Sequence, residues 1–185
     1  DRIERSRVWV VDPIDGTRDY LRGRPGWAVS VALAEDRAIR YGVLSAPARD
    51  ELWTAEAGQG AWRNGERLQV SGRTLFPGAR VPADSLPKVD QDLVMVAKPN
   101  SIALRIAMVA AGEADLLATL RWGREWDIAA AALIAQEAGA TVTGALGQPL
   151  TFNSPEALSF GVVATTPAIH SAAVDRLYER AMAVV

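Results

Sequence analysis

From Trp27 to Ala34 the bulky residues Trp27, Val29, Val31 and Leu33 alternate with Ala28, Ser30, Ala32 and Ala34, the period of a strand with one face packed closely. Ile39, Tyr41 and Val43 repeat the alternation after the polar stretch Glu35 to Arg37, which predicts a hairpin. Leu52 to Ala57 is a further short strand. Asn64-Gly65, between Ala61-Trp62 and Leu68 to Val70, predicts a type I′ turn, whose two central residues both need positive φ. Upstream, Val8 to Val11 reads as a buried strand that Asp12-Pro13 brings to a turn. The first 70 residues thus predict a mostly antiparallel sheet.

After Ser71-Gly72 a connection rich in proline (Pro77, Pro82, Pro87) leads into alternating strands and helices. Strands are predicted at Leu93 to Val96, Ala114 to Leu120, Thr141 to Thr143 and Phe160 to Ala164. Ser101 is placed to N-cap a helix carrying Ile102, Ile106, Val109 and Ala110, with Gly112 near its end. A second helix is expected over Asp127 to Ala138 with Gly139 as its C-cap. A third opens at Thr166-Pro167 and carries Ile169, Ala173 and Leu177. The division expected is the remainder of an α+β domain over 1–75 and an α/β domain over 76–185.

Composition narrows the chemistry. The 185 residues include no cysteine and one histidine, His170, so thiolate nucleophiles, disulfides, iron–sulfur clusters and paired-histidine zinc sites are excluded. His170 itself is expected on the solvated face of the last helix. Catalysis would run on oxygen ligands, which select Mg²⁺, Mn²⁺ or Ca²⁺. With 20 Lys+Arg against 22 Asp+Glu, nothing marks a nucleic acid polymer or an anionic membrane as partner, so a small molecule or a second copy is expected. No run approaches the roughly 20 apolar residues of a membrane span, and the N-terminus lacks a signal peptide's apolar region, so a cytoplasmic location is expected. A strand starting so near the first residue suggests an upstream piece is missing.

The richest stretch is Val8-Trp9-Val10-Val11-Asp12-Pro13-Ile14-Asp15-Gly16-Thr17. Two carboxylates three positions apart at a strand's end can hold one or two hard cations, with the Ile14 carbonyl as a neutral ligand between them. Gly16 and Thr17 present N–H groups where a short helix, Thr17 to Leu21, would start, a favourable seat for phosphate. A plain turn reads the same residues more simply, since Asp-Pro and Asp-Gly are both turn formers. Asp127 is expected to N-cap the alanine-rich helix Ile128 to Ile134, which permits close packing on a sheet and whose dipole would help keep the carboxylate ionised.

Together these elements resemble the inositol monophosphatase superfamily of Mg²⁺-dependent, lithium-sensitive phosphatases. Asp12-Pro-Ile-Asp-Gly-Thr17 is similar to its first metal motif, and Trp126-Asp-Ile-Ala-Ala-Ala131 with Glu137-Ala-Gly139 to its second. Asn64-Gly65 sits where that family has its hairpin turn, and Ser101 to Arg105 with Val109 to Asp115 matches its helix and following strand. The resemblance implies a layered α/β/α/β/α sandwich of the inositol monophosphatase and fructose-1,6-bisphosphatase type, lacking its N-terminal part. It implies that Asp12, the Ile14 carbonyl, Asp15 and Asp127 bind two or three Mg²⁺ ions (Mn²⁺ in their place), and that Gly16 and Thr17 take the phosphate. It further implies that Asp15 and Thr17 serve catalysis, that metal-activated water attacks in line, and that the protein forms a homodimer. The family also draws a Glu-Glu pair from upstream of its first motif; Glu4 lies too close to the strand for that role. The chain is therefore expected to be a fragment or a shortened protein with an incomplete first metal site.

Within the superfamily, Asp12 to Tyr20, Pro99 to Arg105 and Leu150 to Asn153 look most like the CysQ-type 3′(2′),5′-bisphosphate nucleotidase branch. Leu120 stands where inositol-selective members place an acid. Ser101, Arg105, Arg121 and Arg124 are the candidate substrate contacts, the last two for a second phosphate of 3′-phosphoadenosine 5′-phosphate. The alternatives are an inositol-1-monophosphatase and a metal-binding or dimerising module without turnover. Haloacid dehalogenase-type phosphatases carry a similar Asp motif, but with their carboxylates two apart and no intervening proline.

Overall fold

A computed structural model describes all 185 residues. Its helices are α1 (Thr17–Leu21), α2 (Ile102–Ala110), α3 (Glu125–Glu137) and α4 (His170–Met182). Six strands, β1 (Arg7–Asp15), β2 (Ala28–Glu35), β3 (Ala38–Ala46), β4 (Glu51–Glu56), β5 (Gly60–Arg63) and β6 (Glu66–Arg67), form one antiparallel sheet in sequence order. Asp36-Arg37 and Asn64-Gly65 turn its hairpins with positive φ at both central positions, as two-residue hairpins require. In the second half, β7 (Arg80–Pro82) and β8 (Val94–Val96) pair in parallel. A three-stranded antiparallel sheet runs β10 (Thr141–Thr143), β11 (Leu158–Thr165), β9 (Leu116–Arg124).

The layers follow from side-chain size. On β2 the small residues Ala28, Ser30, Ala32 and Ala34 face inward, while Val29, Val31 and Leu33 face out. That orientation suits α3, whose Ala129 to Ala132 and Ala135 are buried and which lies across β1 to β5. Gly42 marks the closest approach: a Cβ there would stand 2.8 Å from the Ala130 carbonyl oxygen. Beside α3 packs α2, beneath both lies the three-stranded sheet, and α4 covers its far side. Sheet, helix pair, sheet and helix are four successive layers of the sandwich expected from the sequence. The outer face of the large sheet is apolar, with Val11, Val31, Val43, Thr54 and Trp62 in register across five strands and Trp9 65% exposed.

Several local expectations change. The strand at residue 8 does not turn at Asp12-Pro13 but continues to Asp15 through a bulge, and β9 runs on to Arg124. Leu68 to Val70 is not a strand; the hairpin partner is Glu66–Arg67. A 3-10 turn, Pro167–Ile169, precedes the last helix. His170 is not a solvated surface residue. Its Nδ1 lies 2.9 Å from the Thr165 hydroxyl and its Nε2 3.0 Å from that of Thr143, so it ties the start of α4 to two strands, and burial lowers its pKa.

Candidate metal and phosphate site

In a regular strand, residues three apart point to opposite faces. Asp12 pairs with Ser30 and Asp15 with Ala28, so β1 spends three steps where β2 spends two. The surplus residue is a β-bulge, and it returns Asp15 to the inward face that Val10 and Asp12 already occupy. Pro13 is tolerated because β1 is an edge strand and the bulge leaves its position unpaired. Within the bulge Asp12 Oδ1 accepts the Ile14 N–H at 3.0 Å, and the Ile14 carbonyl, outside the ladder, accepts the Thr17 hydroxyl at 3.1 Å. The turn formers of the sequence thus make an Asx turn inside a strand.

Gly16 closes the bulge and opens α1 with φ +89°. A Cβ here would meet the Gly26 carbonyl oxygen at 2.7 Å and the Ser101 nitrogen at 2.8 Å, atoms that hydrogen-bond each other. Glycine therefore lets the two halves of the chain touch beside the acids. Thr17 is exposed at the helix start, where the first N–H groups have no intrahelical acceptor.

The second half contributes Asp127. It does not N-cap its helix as expected: α3 begins at Glu125 with Arg124 as N-cap, and Asp127 sits two residues in, within the first turn. Carboxylate oxygens of Asp12, Asp15 and Asp127 lie within 4.8 Å of one another. Burial raises the pKa of all three, with Asp12's charge adding to the effect on Asp127; Asp15 is pushed up to about 6. No Lys or Arg forms a salt bridge with any of them. Across the ladder from Asp12, the Ser30 hydroxyl is fully buried without a hydrogen-bond partner. Three crowded carboxylates and a spare buried oxygen, with no cationic side chain in salt-bridge contact, fit a hard divalent cation.

Ser101 corrects an expectation. It N-caps α2 as predicted, but it is completely buried and is no substrate contact. Its hydroxyl donates to Asp15 Oδ2 at 2.5 Å and accepts the Leu104 N–H at 2.9 Å, while the Ala103 N–H also binds Asp15 Oδ2 at 2.8 Å. One Asp15 oxygen is thereby fixed by α2. Arg105 is held by the Asn100 and Ser101 carbonyls and lines a different cavity. Arg121 and Arg124 do line the cleft beside Asp127, with Thr119, Ser159 and Gly161. Arg121 is exposed and close enough for its charge to lower the pKa of Asp127; Arg124 stacks on Trp126 at 5.2 Å and donates to the Glu156 carbonyl. Glu4 lies in a separate polar cleft with Arg5 and Arg37.

Sequence reasoning missed Glu125. Its buried carboxylate accepts the Asn153 N–H at 2.7 Å and both the N–H and hydroxyl of Ser154, pinning the 153–154 loop to the start of α3. An acid at the first position of so apolar a helix was the available signal. No helix is long and apolar enough to cross a membrane.

Residues 1–180 match the description "Inositol monophosphatase family". Similar curated proteins include a fructose-1,6-bisphosphatase/inositol-1-monophosphatase of Thermotoga maritima, 36% identical over 77% of this chain and 59% of that protein. Inositol monophosphatase 2 of Rattus norvegicus is 34% identical over 86% and 60%. The chain thus spans about 60% of the length of these relatives. Among solved structures, an IMPase of Thermotoga maritima superposes with a TM-score of 0.84 at 31% identity, covering 98% of this chain and 72% of that one. An inositol monophosphatase from Anabaena gives 0.83 at 26%, over 95% and 73%. Sequence, layers and relatives agree: this chain belongs to the inositol monophosphatase family.

Proposed function

We propose that the protein is a Mg²⁺-dependent hydrolase of a small phosphorylated metabolite, with 3′-phosphoadenosine 5′-phosphate as its substrate and attack by water rather than by an enzyme nucleophile. The observation that carries this reading is the convergence of Asp12, Asp15 and Asp127 beside the start of α1. When bound there, divalent cations lower the pKa of a water and neutralise phosphoryl oxygens. The chain's own part is positional. Asp12, the Ile14 carbonyl, Asp15 and Asp127 hold the ions, Ser101 orients Asp15, and the N–H groups of Gly16 and Thr17 seat the phosphate. The Thr17 hydroxyl, donating to the Ile14 carbonyl, keeps its lone pairs for the proton of an attacking water.

Arg121, exposed on the same cleft as Asp127, supports a substrate with a second phosphate. Inositol 1-phosphate is the second reading, supported by the names of the relatives. Homodimerisation belongs to the same proposal, and the apolar outer face of the large sheet is consistent with further burial. The test is a substrate panel on the intact gene product with and without Mg²⁺ and Li⁺. Mg²⁺-dependent release from 3′-phosphoadenosine 5′-phosphate, faster than from inositol 1-phosphate and inhibited by Li⁺, is expected. The reverse order selects the inositol reading, and no release from either overturns the phosphatase.

A further inference from the structure

A second cavity, of about 220 Å³, lies between β9, α4 and the segment 83–93. Its origin is topological. Parallel strands are ordinarily joined by a crossover of a dozen or more residues that carries a helix. Here β7 and β8 are joined by residues 83–93 alone, with one 3-10 turn, Lys88–Asp90. No α-helix stands between β7 and β8, so beside α4 the β9 residues Leu116, Ala118 and Leu120 line a cavity together with Phe76, Leu93 and Leu177.

The rim is charged, and its cations differ in one respect. Arg176 is consumed by Asp92 at 3.0 Å and by the Val89 carbonyl, and Arg180 by Asp90 at 2.9 Å. Arg105, which reaches the cavity wall from α2, binds only the Asn100 carbonyl at 2.9 Å and the Ser101 carbonyl at 3.2 Å, and pairs with no acid. Those two bonds use Nη2 and Nε and fix the guanidinium plane, leaving Nη1 to donate. The charged groups within reach are Asp15, Asp84 and Arg121. Asp84 is engaged by Lys98 at 2.5 Å, and Asp15 belongs to the acid cluster. Burial pulls the Arg105 pKa down, as befits a cation short of a counter-ion.

We propose that this cavity is a binding site for a small apolar anion, an aromatic or medium-chain carboxylate, whose body lies against β9 and α4 and whose head pairs with Arg105. An apolar cavity of about 150 Å³ holds benzene, so this one admits a ring or chain with a headgroup. An apolar wall with one oriented donor is the usual make-up of a small-molecule site. The site is separate from the acid cluster and does not depend on the phosphatase reading.

The test uses ¹⁵N-labelled protein titrated with octanoate, below its micellar range, and with 1-octanol. Octanoate is expected to shift the amides of Leu116 to Leu120 and Leu177 saturably, and to bind at least tenfold more tightly than the alcohol. Arg105→Gln should bring octanoate down to the alcohol's affinity while Arg105→Lys keeps the preference, and Ala118→Trp, which fills the cavity, should weaken both. Equal affinity for acid and alcohol in the unaltered protein overturns the proposal. So do an undiminished preference in Arg105→Gln, or shifts confined to the outer sheet face around Trp9 and Trp62.

Discussion

Two sets of buried carboxylates stand in opposite electrostatic states. Asp115, 1% exposed, receives Arg80 Nε at 3.0 Å, Nη2 at 2.7 Å and its backbone N–H at 2.9 Å, together with the Ser71 hydroxyl. Burial pushes its pKa up, but these donors outweigh that and hold it at about 2. Asp12 and Asp15 are buried too and Asp127 is half-buried, yet no Lys or Arg forms a salt bridge with them, and their pKa values rise. The difference separates an acid whose counter-ion is part of the fold from acids whose counter-ion must come from outside.

The sharpest way to break the comparison is neutralisation. Asp15→Asn and Asp127→Asn in the intact gene product should each lower Mg²⁺-dependent phosphate release by at least about a thousandfold, while leaving the metal-free melting temperature unchanged or higher, because like-charge repulsion is relieved. A fall in melting temperature with activity retained would make these acids structural. Asp115→Asn should do the converse, costing about 2–4 kcal/mol in urea unfolding by leaving Arg80 without its partner.

Acid titration of the metal-free protein follows with opposite slopes. Asp15 has a folded pKa raised to about 6 from 3.8, so the native state binds the extra proton first, and stability rises as pH falls from about 6 to 4. Asp115 has a folded value lowered to about 2. Its contribution, about 2–3 kcal/mol, is full above the unfolded value of 3.8 and is lost as pH falls through 2. Urea midpoints between pH 7 and 2 should therefore pass through a maximum near pH 4, which Asp15→Asn flattens on the neutral side and Asp115→Asn on the acid side. The smallest effect is that of Ser101→Ala. Loss of one hydrogen bond to Asp15 should weaken Mg²⁺ binding by about tenfold in calorimetric titration, with the fold intact.

Much of this was legible from residues alone. The alternation on β2 and β3, the Asn64-Gly65 turn and the alanine run of α3 are local patterns with local causes, and each appears where expected. The three candidate carboxylates were legible through the resemblance of their two motifs to a known family; the lack of cysteine alone pointed only to oxygen chemistry. What did not show was pairing at a distance. Asp12-Pro13 reads as a turn until β2 is beside it to impose a bulge, and Ser101 reads as a cap open to substrate until its hydroxyl is seen donating to Asp15. His170 looked solvated because Thr143 and Thr165 lie on strands that only folding brings to it.

The bulge in β1 has one more consequence, in the arithmetic of chain length. Deleting Pro13 would leave two carboxylates two positions apart, which an unbroken strand also directs to one face. The acids would thus keep one face, but the Asx turn of the bulge, and with it the Ile14 carbonyl that accepts the Thr17 hydroxyl, would be lost. A single surplus residue is therefore how an edge strand keeps two acids on one face and still turns the carbonyl between them toward the Thr17 hydroxyl at the start of α1.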